Sequence, residues 1–459
     1  MELRHRPQYH FLPVANWMND PNGLIQWKGV YHLFYQHNPA GAAWGDIHWG
    51  HAASRDLVHW THLPIALAPG PQGPDKDGVW SGCAVNHDGV PTLVYTGVSP
   101  QVQCLATSDD EMILWNKSSA NPIIAAPPEG LDATGFRDPY VWREDDKWYM
   151  VIGSGARNVG GMILLYCSPD LYRWEYLGPL FEGRLSETGH NWECPNYVSL
   201  HGHRLLIFSP EPFLQAHYYL GQQHGTRFEP YCHGLLDHGG LYYAPQAFLD
   251  EAGRCICFGW LREGRASQAA VAAGWAGVQS LPRVFSVGAD GDLRQRPVEA
   301  MEQLRGAPWS PAPGPLLGKR WLSMSGTALE ISLEIAPGED SHIGLELMAS
   351  PEGEERTLLA YDAAKAMLTL DSRQASLHPL FEGRLSEAPL QLEEGLLRLQ
   401  VYLDHSVIEV FANERVVLTA RVYPTRTDAT GLALWAEGAP ATIASLRVWP
   451  MASIWSSRH

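Results

Sequence analysis

Basic residues are in short supply: lysine and arginine number 33 against 50 aspartates and glutamates, a formal net charge of −17 at pH 7. A surface with that balance repels phosphate backbones and anionic headgroups, which argues against nucleic-acid and membrane partners. Long apolar runs are also missing, and none approaches the roughly 18 residues that span a bilayer. The opening MELRHRPQYHF is polar and lacks the apolar centre of a secretory leader, so a reduced, cytoplasmic setting is expected. Cysteine is sparse and odd in number, seven in all, without CxxC pairs or histidine-spaced ligand sets. That usage indicates neither a disulfide framework nor a zinc site, and no metal or organic cofactor is expected. Long helical periodicities are absent as well.

What is abundant is turn chemistry and tryptophan. The 44 glycines and 34 prolines cut the chain into short apolar runs, which reads as all-β. Eighteen tryptophans supply broad aromatic faces of the kind that suit the apolar C–H faces of sugar rings. At 459 residues the chain exceeds what one core usually supports, so two domains are expected.

Five hairpins repeat along the first 305 residues. They occupy 24–35 (turning at Lys28-Gly29), 84–96 (Asp88-Gly89), 140–152 (Asp145-Asp146), 197–208 (Gly202) and 247–260 (Gly253). Their spacing of roughly 50–60 residues fits one four-stranded blade plus a loop, so a five-bladed β-propeller is the expected architecture. A plain β-sandwich is the alternative. The first hairpin is entered through Asn19-Asp20-Pro21, the third through Arg137-Asp138-Pro139, the fourth through Glu193-Cys194-Pro195 and the fifth through Ala244-Pro245-Gln246. Proline favours strand starts and edges, and the innermost strand of a blade is an edge facing the central channel. Asp20, Asp138 and Glu193 therefore occupy nearly one slot, repeated around a ring, and converge on its axis. One Asp-Pro alone would signal only a turn; three in register, flanked by Trp17, Phe136 and Trp192, signal a site.

Beyond about residue 305 the texture changes. The Pro-rich stretch 307–317 reads as part of a linker over 306–320, followed by a C-terminal β-sandwich at 321–459 with short strands near 329–335, 343–348, 397–403 and 407–411. The nonapeptide PLFEGRLSE occurs twice, at 179–187 and 379–387, once in each domain and with unmatched flanks.

Convergent carboxyl groups without metal-ligand partners suit glycoside hydrolysis, in which one carboxylate attacks and another carboxylic acid protonates the leaving oxygen. Glu193, between Trp192 and Cys194, reads as the group kept neutral by an apolar setting. Asp20 lies among the amides of Asn19 and Asn22, which favour its charged form. Asp138 is expected to be held ionised by Arg137 and to stabilise positive charge in the transition state.

The motifs WMNDPNGL (17–24), FRDP (136–139) and WECPN (192–196) resemble the three signatures of glycoside hydrolase family 32, which comprises invertases, sucrose-6-phosphate hydrolases and fructan hydrolases. YQHNP (35–39), WSG (80–82), YYAPQ (242–246), FGW (258–260), SLPR (280–283) and DHSVIEVFAN (404–413) extend the resemblance over nearly the whole chain. The resemblance implies a propeller followed by a β-sandwich, with Asp20 as nucleophile, Glu193 as acid/base and Asp138 as transition-state stabiliser. It further implies that Asn19, Gln36, Trp44, Trp80, Ser81, Arg137 and Trp260 line a fructosyl pocket. The implied activity is retaining β-fructofuranosidase action on sucrose or its 6-phosphate. The alternatives are an exo-acting fructan hydrolase, a fructosyltransferase, or a silent sugar-binding propeller. Leu241-Tyr242 stands where many bacterial members carry Asp-Phe, in a region that helps choose the leaving group, and Asp237 is a candidate polar substitute.

Overall fold

The computed structural model describes residues 4–455. Five antiparallel sheets form the blades of a propeller, and each begins with the strand nearest the axis. These inner strands are Asn16–Trp27, Val79–His87, Ala133–Glu144, Asn191–Leu200 and Tyr242–Leu249. Each is followed by its hairpin partner at the turn expected from the sequence. Lys28-Gly29 and Asp88-Gly89 adopt positive φ at both residues, as tight hairpin turns require, which accounts for the glycine at the second position of each. The ring closes where the short strand Trp275–Ala276 pairs in parallel with Asn16 and Trp17, tying the end of blade five to blade one.

Amide side chains one residue after the inner-strand prolines Pro195 and Pro245 stitch the blades together near the axis. Asn196 Nδ2 donates to the carbonyl of Pro245, and its Oδ1 accepts from Ala247 N. Gln246 accepts from Leu24 N in blade one and donates to the carbonyl of Gly82 in blade two. These bonds satisfy buried backbone groups that have no strand neighbour at an inner edge.

The second domain is a β-sandwich built on one continuous sheet. The 20-residue strand Gly431–Pro450 crosses between its two layers: residues 433–437 pair with His342–Ala349, and residues 442–450 pair with Ala328–Ala336. Gly438, at φ 80°, supplies the bend. Residues 314–320 of the expected linker instead belong to the strand Gly314–Trp321, alongside the same long strand. The preceding residues are laid down as well, with Trp309 bridging Val448. Proline removes donors, but an edge strand needs few of them. The repeated nonapeptide takes two conformations: its first copy ends a strand (Glu175–Glu182) and opens the helix Leu185–Thr188, whereas its second copy is a turn leading into the strand Leu385–Pro389. Tertiary surroundings override local sequence here.

The domains share one hydrophobic cluster, in which Tyr242, Phe285, Met301 and Leu304 pack with Tyr402, Val407 and Phe411 of the sandwich. Its polar counterpart uses the DHSVIEVFAN segment. Asp404 accepts the backbone N–H groups of Gln8, Tyr9 and His10, and the His10 ring lies between Asp404 and Glu409. Arg283 Nη2 reaches Asp237 at 2.9 Å and Glu409 at 2.6 Å, and all three side chains are fully buried. Asp237 therefore serves the domain interface; it also accepts from Thr419 and does not line the pocket, contrary to the expectation that it replaces a sugar-binding aspartate. Arg283→Met would strand two buried carboxylates, and breaking a buried pair costs about 3–5 kcal/mol. Urea unfolding should show a loss of that size, whereas an undiminished midpoint would mean that the guanidinium is dispensable.

Candidate active site

Every inner strand carries an irregularity at the same level near one end of the channel. Two residues oppose one in four blades: Asn19-Asp20 against Gln36, Asp138-Pro139 against Ile152, Cys194-Pro195 against Phe208, and Ala244-Pro245 against Gly259. In blade two Ser81 is the extra residue. Such bulges break the alternation of a strand and re-aim its side chains. Asp138, Cys194 and Ala244 adopt positive φ at these points, which turns the chain toward the axis. Proline fits because the bulged edge has no ladder bond to donate.

Aligning the blades on their prolines separates two tiers. The residue before proline is Asp20, Asp138, Cys194 or Ala244; the residue before that is Asn19, Arg137, Glu193 or Tyr243. Glu193 thus shares its slot with Arg137 and Tyr243 rather than with the two aspartates, a correction to the single slot expected from the sequence. The tiers bond differently. In the inner tier, Ser81 Oγ donates to Asp20 Oδ2 at 2.6 Å, and Asn19 Nδ2 donates to Asp20 Oδ1 at 3.0 Å. Cys194 Sγ lies 3.6 Å from both Asp20 Oδ2 and Asp138 Oδ2, and its backbone N–H donates to Asp138 at 2.9 Å. In the outer tier, Arg137 donates to Glu193 Oε1 through Nε at 3.1 Å and Nη2 at 2.9 Å, while Tyr243 O–H donates to Glu193 Oε2. Arg137 also reaches Glu211 at 3.0 Å and lies over the Trp80 ring.

These residues line a pocket of about 290 Å³ that brings together Asp20, Asp138 and Glu193 with Asn19, Gln36, Trp44, Trp80, Ser81, Arg137 and Trp260. Trp44, 59% exposed, stands at the rim edge-on to Trp80. Gln36, opposite the first bulge, is anchored by donating to the carbonyl of Val79. Four further residues line the pocket: Gln101, Cys194, Glu211 and Tyr243. Tyr243 was detectable, since it stands two residues before Pro245 as Glu193 stands before Pro195. Glu211 was not; it enters from the second strand of blade four, where it pairs with Asn191. Asn22, expected near Asp20, instead accepts from Gly82 N.

Four carboxyl groups, those of Asp20, Asp138, Glu193 and Glu211, thus share the pocket with one guanidinium. Burial raises the pKa of Asp20, against hydrogen bonds from Ser81, Asn19 and Cys194 that favour its charged form. Burial likewise raises Glu193, with Arg137 opposing. Asp138 is pushed up to about 7, first by burial and then by the charges of Glu193 and Asp20, which together outweigh Arg137. Arg137 therefore does not hold Asp138 fully ionised as its adjacency in sequence suggests; its Nε stands 4.0 Å away and its closer bonds go to Glu193. Neighbouring carboxyls of this kind hold protons to unusually high pH, which lets one act as an acid near neutrality.

Residues 10–297 match the family description "Glycosyl hydrolases family 32 N-terminal domain", and residues 301–450 match "Glycosyl hydrolases family 32 C terminal". The chain belongs to glycoside hydrolase family 32. Within that family it is 37% identical to a sucrose-6-phosphate hydrolase of Escherichia coli, over 97% of this chain and 94% of the relative. It is 35% identical to a raffinose invertase of the same organism, over 96% and 94%. Among solved structures, fructan 1-exohydrolase IIa from Cichorium intybus superposes with a TM-score of 0.90 at 28% identity, covering 99% of this chain and 98% of that one. Membership makes the chain a glycoside hydrolase of the β-fructofuranosidase type and agrees with the propeller and sandwich seen here.

Because burial and the neighbouring carboxylates push the Asp138 carboxyl up to about 7, the folded protein holds this proton to higher pH than the unfolded chain. Its contribution to stability is complete below about pH 4 and is lost as the pH rises toward 7. Asp138→Asn removes that loss. Chemical unfolding across this range should show a shallower decline for the variant, by a few kcal/mol or less in order of magnitude; parallel curves would contradict a raised Asp138.

Proposed function

We propose that the chain is a retaining β-fructofuranosidase that cleaves the terminal β-fructosyl bond of sucrose or a phosphorylated form of it. The observation that carries this reading is the two-tier arrangement, which places a hydrogen-bonded aspartate, Asp20, beside a glutamate, Glu193, bonded to a different set of partners. Ser81 donates to one oxygen of Asp20 and Asn19 to the other, which fixes the carboxylate at the pocket wall as a nucleophile requires. Glu193 carries a raised pKa and lines the same pocket, as the acid that protonates the leaving oxygen must.

In the first step Asp20 attacks the anomeric carbon while Glu193 delivers its proton to the departing glucosyl oxygen. In the second, Glu193 takes a proton from water, the water oxygen attacks the same carbon, and the bond to Asp20 breaks. Two inversions leave the β configuration intact. Asp138, held by Cys194 N–H, faces the ring hydroxyls and the positive charge of the oxocarbenium-like transition state. Trp44, Trp80 and Trp260 provide aromatic surface for the sugar. A silent binding protein would not need the complete set of carboxyls that this pocket retains. The seven cysteines are all free, which supports a reducing, cytoplasmic setting.

Asp20→Ala and Glu193→Gln should each lower kcat on sucrose by about a thousandfold or more while leaving the unfolding transition intact. Near-normal turnover by either variant would refute its role. Proton NMR of the early reaction should show β-fructose appearing first, and an initial α anomer would rule out double displacement.

A further inference from the structure

Glu211 lines the pocket, yet it does not come from an inner strand as the other three carboxyls do. It ends the strand His203–Glu211, the second of blade four, opposite Asn191. Its backbone is pinned at that point. His190 N donates to its carbonyl at 3.0 Å, and a Cβ at Gly189 would stand 1.9 Å from that same oxygen, so only glycine allows the close approach. The side chain is anchored as well: Oε2 accepts from Asn191 Nδ2 at 3.2 Å and from Arg137 Nη2 at 3.0 Å.

That same Nη2 donates to Glu193 Oε1 at 2.9 Å. One nitrogen thus bridges two carboxylates. Groups bonded in this way lie within about 4–6 Å of each other, the range over which like charges favour each other's protonation. Among the described residues Arg137 is the only lysine or arginine within ion-pair distance of either carboxylate. The other groups facing Glu193 are Tyr243, which donates to Oε2, the inner-tier Asp20 and Asp138, and the adjacent Cys194. Glu211 is faced in addition by Tyr243 and by His190, whose Nε2 stands 3.8 Å from Oε2. Burial raises the pKa of Glu193 and Arg137 opposes the rise; the charge of Glu211 counters Arg137 more strongly than that of Asp20 does.

We propose that Glu211 is a positioning residue that divides Arg137 between two carboxylates, so that Glu193 keeps its proton over the pH range in which it must protonate the departing oxygen. This rests on the β-fructofuranosidase reading above and adds a fourth carboxyl to the acid/base machinery. An Arg137 left to Glu193 alone would favour the ionised form and disarm it as an acid. The Glu211 side chain is 33% exposed, so water screens part of the effect.

The test is the pH dependence of kcat/KM on sucrose, which reports the groups of the free enzyme, in the full-length wild type, Glu211→Gln, Glu211→Ala and Glu211→Asp. Glutamine keeps the shape and an acceptor for Arg137 but removes the charge. Its alkaline limb should lie about one pH unit below that of the wild type, a loss of about tenfold at any pH on the limb. Alanine should move the limb as far, so the test survives if either variant fails to fold. Aspartate keeps the charge and should recover most of the shift. An unmoved limb in Glu211→Gln, or a loss by the same factor at every pH, would mark Glu211 as merely structural and overturn the proposal. An equal shift in Glu211→Asp would also overturn it, since shape rather than charge would then be at work. With β-fructofuranosyl fluoride, whose leaving group needs no acid, the limb should disappear. A limb that persists with the fluoride would instead refute Glu193 as the acid, and a wild type inert toward sucrose would refute the β-fructofuranosidase reading itself.

Discussion

The site depends on one constraint: carboxyl groups crowded into a pocket with a single guanidinium. Arg137 donates to Glu193 and Glu211 and stands 4.0 Å from Asp138, so it cannot neutralise the whole set. The shortfall is met by neutral donors, namely Ser81, Asn19, Tyr243 and the backbone N–H of Cys194, and by protons retained on the carboxyls themselves. A pocket that is short of positive charge is already prepared for a substrate that becomes positive at the transition state.

Holding such a cluster together requires a scaffold that does not yield. The bulged inner strands aim the side chains, and the amide stitches of Asn196 and Gln246 lock neighbouring blades at the level just below. The sandwich domain braces blade five and the N-terminal segment through buried ion pairs at Arg283 and His10. The loop bearing Asp237 to Leu241 is clamped between these elements, with His238 N donating to Val417 and Gly239 N to Asp237. The sandwich domain thereby fixes the loop that leads into the strand carrying Tyr243.

Much of this was legible in the sequence because propellers repeat. Five hairpin turns set the blade number, and proline-marked strand starts located Asp20, Asp138 and Glu193. Glu193 stands two residues before its proline whereas Asp20 and Asp138 stand one before theirs, and that one residue of difference moves its side chain to the next level of the ring. Glu211 escaped notice because it enters from a second strand, where pairing rather than sequence proximity brings it to Arg137. Adjacency in sequence suggests that Arg137 holds Asp138 ionised, but burial, which leaves no trace in the sequence, outweighs it. Residues 314–320 have the proline content of a linker, yet they form most of the strand Gly314–Trp321, because an edge strand tolerates proline. The pairing of Asp404 and Glu409 with His10 spans almost the whole chain and leaves no local trace.

The account's central claim is that Asp20 forms the covalent bond to the sugar. It is tested most directly by trapping that bond in a Glu193→Ala protein supplied with β-fructofuranosyl fluoride, whose leaving group needs no acid but whose intermediate cannot be hydrolysed efficiently without the base. Rapid quenching, proteolysis and mass spectrometry should then show the peptide containing Asp20 heavier by one fructosyl unit. A fructosyl unit on the peptide containing Asp138, or none on any peptide while fluoride is released in a burst, would contradict the account.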